Sequence, residues 1–124
     1  MRLDTHVVLW LYTSGANGFP DDARARLGGE TLGFSPAVEL EITFLHEIGR
    51  VAATARQIVE ELGRTIGLAV SPAAFHEVVS AARDLSWTRD PFDRLICADA
   101  VVSGTTLLTK DRTIRAHFAD AHWD

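Results

Sequence analysis

Four carboxylates stand at the edges of apolar segments: Asp4 after Met1-Arg2-Leu3, Glu41 inside a helical stretch, Asp93 near the start of another, and Asp111 after Thr106-Leu107-Leu108. An acid in such a place costs stability unless a partner, a proton or a metal compensates it. Brought together, the four would form a site dense in negative charge and suited to a hard divalent cation. At an effective dielectric of about 20, two carboxylates about 4 Å apart repel by roughly 4 kcal/mol. A divalent ion offsets that repulsion, lowers the pKa of bound water and polarises a phosphate. Mg²⁺ suits such a site because it takes few carboxylates and keeps several waters. The chemistry indicated is metal-dependent phosphodiester hydrolysis.

The elements that must position these acids alternate short apolar runs with helices. Met1–Asp4 reads as a strand, followed by a helix over about residues 6–12 that is apolar nearly all round and therefore expected to be buried. Residues 13–20 form a loop, and Asp21 or Asp22 caps a short helix that stops at Gly28-Gly29. After a strand at 31–34, Ser35-Pro36 starts a helix to about Ile48, ended by Gly49. A helix over 51–65 turns Ile58, Val59 and Leu62 inward, Gly67 breaks it, and 68–70 is a third strand. Ser71-Pro72 starts a helix through Ala82, and Asp90-Pro91 another to Ser103. Residues 105–108 make a fourth strand, a short helix begins at Arg112, and 121–123 forms a small edge strand. This alternation predicts a layered α/β fold on a mostly parallel sheet. Asp4 and Asp111 then follow strand carboxyl ends, where open α/β sheets gather their sites.

Each acid also has a plain structural role open to it. Asp4 can cap the helix behind it. Glu41 shares a helical stripe with Val38, Leu45 and Ile48, whereas Glu39, Thr43, His46 and Arg50 form a polar stripe. Glu41 is therefore a metal ligand or a salt-bridged core acid. Asp90, just before Pro91, is placed as an N-cap or outer acid. Asp93 sits at the inner edge of the same helix, with Ile96, Cys97 and Ala100, and is favoured as the ligand. Asp111 is a ligand or an ordinary turn acid. Thr5 and Thr109 follow strand ends, where their hydroxyls either orient water or bond locally. Arg94 and Arg112 are candidates for holding a substrate backbone.

The 124 residues suffice for one domain with a real core, and 47% hydrophobic and 23% charged residues are ordinary for a globular protein. The single cysteine, Cys97, excludes an internal disulfide and a Cys-rich zinc site; its apolar neighbours mark it as core filler. The histidines lack a zinc-type cluster, and no Gly-x-Ser-x-Gly or Walker-type loop is present. A net charge of −5 argues against clamping nucleic acid through a basic face, but not against an enzyme meeting it locally through arginines and a metal. No stretch approaches the roughly 20 apolar residues of a membrane span, and an acid at position 4 is unlike a secretory signal, so a cytoplasmic protein is expected.

Leu3-Asp4-Thr5-His6-Val7-Val8-Leu9-Trp10 resembles the opening of PIN-domain nucleases, particularly VapC-type toxins of bacterial toxin–antitoxin pairs. Ser35-Pro36-Ala37-Val38-Glu39-Leu40-Glu41-Ile42 resembles their second block, and Leu107-Leu108-Thr109-Lys110-Asp111 their last. Arg89-Asp90-Pro91-Phe92-Asp93-Arg94-Leu95-Ile96 is the most specific likeness. The resemblance implies a PIN-like three-layer α/β/α fold and a Mg²⁺- or Mn²⁺-dependent endoribonuclease. It also implies inhibition by a cognate antitoxin, and homodimers. On the family pattern Asp4, Glu41, Asp93 and Asp111 carry the metal and Asp90 is accessory. Two departures stand out: only three residues precede Asp4, and Leu40 occupies a place where a tryptophan is often found.

Two alternatives belong to other classes. A receiver-like regulatory module also uses acids at strand ends and a lysine, here Lys110, but Leu68-Ala69-Val70-Ser71 lacks the acceptor Asp it needs. An inactive PIN-like binding scaffold would not need all four acids.

Overall fold

The computed structural model describes residues 1–124. In chain order the elements are β1 (Arg2–Leu3), α1 (Thr5–Ser14), α2 (Asp21–Gly29), β2 (Gly33–Phe34), α3 (Pro36–Glu47), α4 (Ala55–Ile66), β3 (Ala69–Val70), α5 (Phe75–Ala82), α6 (Pro91–Val102), β4 (Leu107–Leu108), α7 (Arg112–His117) and β5 (Ala121–His122). Every strand pairing is parallel and the strand order is β3-β2-β1-β4-β5. The chain winds outward from β1 to β2 and β3, then returns to the other side of β1 for β4 and β5. Right-handed crossovers therefore put helices on both faces, giving the three-layer α/β/α arrangement. The reversal lies between β1 and β4, and a crevice forms at the carboxyl ends of strands flanking such a switch point. A receiver would have the order 2-1-3-4-5, so this topology excludes that module.

The core is built from Leu3, Val7, Val8, Val38, Ile42, Ile58, Ile96, Leu107, Leu108 and Ile114, all fully buried. Cys97 lies in this core at 1% exposure, and burial pushes its thiol up to about 12, so it stays protonated. Ser35 and Asp90 cap α3 and α6 as the Ser-Pro and Asp-Pro pairs predict.

Four local expectations change. The chain at 51–54 is not helical; Thr54 and Gln57 form a capping box that starts α4 at Ala55. Helix α5 starts at Phe75 rather than at Pro72: the Ser71 hydroxyl accepts from Ala73 N–H (3.2 Å), as a cap serine does, and also from the Arg2 guanidinium (3.1 Å), yet residues 72–74 stay non-helical. Pro20, not an aspartate, is the N-cap of α2; Asp21 and Asp22 sit in its first turn and pair with Arg24 and Arg26. Finally, α1 is not buried all round. Val7 and Val8 face the core, but Trp10 is 37% exposed.

A buried ion pair ties the sheet to α6. Arg2 Nε donates to Asp99 Oδ1 at 2.7 Å, and Arg2 Nη2 donates to Ser103 Oγ at 2.8 Å. The Asp99 side chain is only 1% exposed. This network explains the glycine at 33. A Cβ there would stand 2.5 Å from Arg2 Nη1 and 3.3 Å from the Ala69 carbonyl oxygen.

Candidate active site

Asp4, Glu41, Asp93 and Asp111 line one concavity of about 160 Å³, together with Thr5, His6, Leu9 and Leu45. Local chemistry fixes each element that supplies them. Asp4 follows β1 and is the N-cap of α1, with its Oδ1 accepting from Thr5 N–H at 2.7 Å. Asp111 follows β4 and is the N-cap of α7, accepting from Ile114 N–H at 2.9 Å. The backbone bond from Asp4 N–H to the Leu108 carbonyl (3.0 Å) ties the two strand ends together. Glu41 reaches in from α3 and Asp93 from the first turn of α6, two helices that pack against each other. The structural roles thus coexist with site placement: each carboxylate oxygen carries two lone pairs, so a cap bond does not exhaust it.

Two threonines hold the acids. The fully buried Thr109 donates its hydroxyl to Asp4 Oδ2 at 2.7 Å and accepts from Asp111 N–H at 3.0 Å. The Thr5 hydroxyl donates to Glu41 Oε1. Both threonines therefore act on carboxylates directly. Thr109→Val keeps the shape and removes the donor, leaving a buried Asp4 oxygen unpaired. The expected stability loss is about 1–3 kcal/mol, measurable by urea unfolding with an unchanged dependence on urea concentration.

The electrostatics are those of an uncompensated acid cluster. Asp93 is raised to about 7, first by burial and then by the charges of Asp90, Asp4, Asp111 and Glu41, all acting in one direction. Burial also raises Glu41, partly opposed by the Thr5 hydroxyl. His6 lies against the cluster with Nδ1 3.6 Å from Asp4 Oδ2, yet burial holds its pKa below the ordinary value despite that neighbour. A neutral ring is also what its other contact requires. Nε2 is 2.9 Å from Lys110 N–H and must accept from it, which leaves the proton on Nδ1 facing Asp4.

The donor set is all oxygen and mostly carboxylate, as a hard divalent cation requires. In the present side-chain arrangement no three of the acids stand ready around one point.

The remaining candidates are placed as follows. Asp90 is the cap of α6, its Oδ1 accepting from Phe92 N–H (2.8 Å) and Asp93 N–H (3.2 Å). Arg94 donates Nε to the Thr88 carbonyl at 2.8 Å, so it braces the loop before α6 instead of facing the concavity. Arg112 is exposed in the first turn of α7. Along the Glu41 stripe Val38 is buried and Leu45 half-buried, but Ile48 is 51% exposed beyond the helix end. His6, two residues after Asp4 in sequence, both lines the concavity and makes a structural contact with the Lys110 backbone.

The PIN domain family model matches residues 1–117. Ribonuclease VapC22 of Mycobacterium tuberculosis (strain ATCC 25618 / H37Rv) is 31% identical over 121 residues, which span 93% of this chain and 89% of that protein. A chain in the crystal structure of VapBC2 from Rickettsia felis bound to a DNA fragment from their promoter superposes with a TM-score of 0.67. That alignment is 14% identical and covers 99% of this chain and 98% of that one. The match across nearly the whole length and the identity to a VapC protein lead to one assignment: the chain belongs to the PIN-domain family and is of the VapC type.

Proposed function

We propose that residues 1–124 form a single nuclease domain that hydrolyses RNA with the help of Mg²⁺ or Mn²⁺, acting in the cytoplasm as the toxin of a toxin–antitoxin pair. The observation that carries this reading is the convergence of Asp4, Glu41, Asp93 and Asp111 on one concavity, with Asp93 raised to about 7. The similarity to a protein named a ribonuclease supplies the substrate class. No helix is long and apolar enough to cross a membrane.

Asp4, Glu41, Asp93 and Asp111 would hold the ion. When bound, it supplies charge neutralisation, polarisation of the scissile phosphate and activation of the attacking water. The chain's own residues prepare the site. Thr109 fixes Asp4, Thr5 fixes Glu41, and Asp90 stiffens the first turn of α6 that carries Asp93. Neutral His6 anchors the 109–111 turn through the Lys110 backbone. Arg112, exposed at the start of α7, is available to the RNA backbone.

The cognate antitoxin is a protein partner that blocks this acidic concavity, and the toxin is a homodimer. Self-association finds support in the apolar surface shared by α3 and α5. There Leu40 (63% exposed) and Phe75 (72%) rim a pocket of about 230 Å³.

The test is cleavage of a panel of structured RNAs in Mg²⁺, Mn²⁺ or EDTA, with Mn²⁺ binding followed by calorimetry. Cleavage that requires the metal is expected. Cleavage that persists in EDTA, or no cleavage together with no Mn²⁺ binding, would overturn the reading.

A further inference from the structure

Beside the acidic concavity lies a second hollow that the hydrolytic chemistry does not use. Trp10, Phe19, Lys110 and Trp123 line it, with Gly15 and Gly18 at its mouth and a volume of about 260 Å³. The three rings pack at steep angles, Trp10 to Phe19 T-shaped at 6.2 Å, and Trp10 to Trp123 at 5.8 Å and Phe19 to Trp123 at 4.9 Å tilted, between centroids. Phe19 and Trp123 are buried at 8% and 6% exposure, while Trp10 is 37% exposed. A core residue would be covered; this indole is braced from below and presented to solvent. Lys110, the only lysine in the chain, holds its Nζ 5.6 Å from the Trp10 ring. A Cβ at Gly15 or Gly18 would meet nothing within 4 Å, so the mouth is open.

His6 joins the two hollows. Its ring is 4.9 Å from Trp10 and its Nδ1 3.6 Å from Asp4 Oδ2. A strand with one phosphate over the acids would pass Trp10 with an adjoining nucleotide. We infer that this hollow is a base-stacking subsite, in which Trp10 receives the face of an unpaired RNA base next to the scissile phosphate and Lys110 swings from the indole to that nucleotide's phosphate. Every base offers a π-face to an aromatic platform, and a lysine is a flexible point charge able to follow a phosphate. The inference rests on the RNA reading above and deepens it: Trp10 and Lys110 hold the nucleotide beside the cut.

The test uses the full chain with Mg²⁺ in two assays. One is cleavage of single-stranded RNA by wild type, Trp10→Ala, Trp10→Phe and Lys110→Gln, with melting curves to score folding. The other is binding of a short oligoadenylate, and of the same chain with abasic positions, to Asp93→Asn protein followed by tryptophan fluorescence. Trp10→Ala is expected to weaken binding and cleavage about 5- to 150-fold, the range of one lost stacking contact. Trp10→Phe should keep most of both, and the abasic chain should bind wild-type and Trp10→Ala sites alike. Lys110→Gln, which leaves the ring cluster intact, should weaken both assays more at low salt than at high. If wild type cuts RNA and neither Trp10→Ala nor Lys110→Gln changes cutting or binding, the subsite is overturned and the nuclease stands. Quenching by oligoadenylate that depends on Trp10, without cutting by wild type, would keep the subsite and sink the nuclease. Absence of both would sink both.

Discussion

Asp93→Asn is expected to abolish RNA cleavage and, in the metal-free protein, to raise stability at pH values above about 7. The two effects have one origin. Asp93 is the acid on which burial and four neighbouring charges act together, with a folded pKa of about 7 against an ordinary value of 3.8. A carboxyl whose folded pKa is the higher binds its proton more tightly in the native state. Folding stability then falls as pH rises from about 4 to 7 and levels off beyond, because over that window the native state holds more protons than the unfolded chain. Glu41, also raised, acts in the same direction. An asparagine never ionises, so the variant should show a flatter stability profile through that window. The charge that destabilises the metal-free protein is what a cation needs, and if the proposed function holds, replacing Asp93 should lower cleavage by about 10³-fold, several kcal/mol of transition-state stabilisation. Melting curves at about pH 5 and pH 8, with EDTA and with Mn²⁺, check the balance. Mn²⁺ should restore stability at the higher pH in wild type and much less in Asp93→Asn. A variant that is inactive and also less stable at the higher pH would show that Asp93 is a structural acid.

Asp99→Ala is expected to have the opposite profile, a large loss of stability with activity per folded molecule retained. Asp99 is the most deeply buried acid of the chain and takes no part in lining the acidic concavity. Its partner Arg2, at 14% exposure, pairs with it at 2.7 Å, and the two join β1 to α6. Removing the carboxylate leaves a guanidinium in the interior with only Ser71 and Ser103 as acceptors. Breaking a buried pair from one side costs about 3–5 kcal/mol, which for a chain of this size lowers the melting temperature by on the order of 10 °C or more. Chemical denaturation and cleavage at a temperature where both proteins are folded separate the two effects. A melting point within about 2 °C of wild type would show that Arg2 escapes to solvent once freed.

How far the sequence alone reached is visible in these residues. Ser35-Pro36 and Asp90-Pro91 announced α3 and α6, because a side chain that caps and a ring that fixes φ act within three or four residues. The apolar runs marked the strands for the same local reason, and the four motif blocks pointed to the candidate acids. One local signal misled: Ser71-Pro72 read as a helix start, and the serine does make the local bond to Ala73 N–H, but it also accepts from the distant Arg2 and the helix begins only at Phe75.

What only the tertiary structure decided involves residues far apart in the chain. The Thr109 hydroxyl on Asp4 spans 105 positions, His6 on the Lys110 backbone 104, and Arg2 on Asp99 97. None has a local signature, because the first two exist only once β1 lies beside β4 and the third only once α6 packs on the sheet. The same holds for Trp10. Helical periodicity made it one more apolar residue of α1, and only the placement of Phe19 and Trp123 beneath it leaves its indole facing solvent beside the acids. The sequence alone determined which groups the protein owns and which elements carry them. Their distances, their shifted acidities and the neighbours each one meets followed from the order in which the strands pair, a property of the whole chain that no short segment encodes.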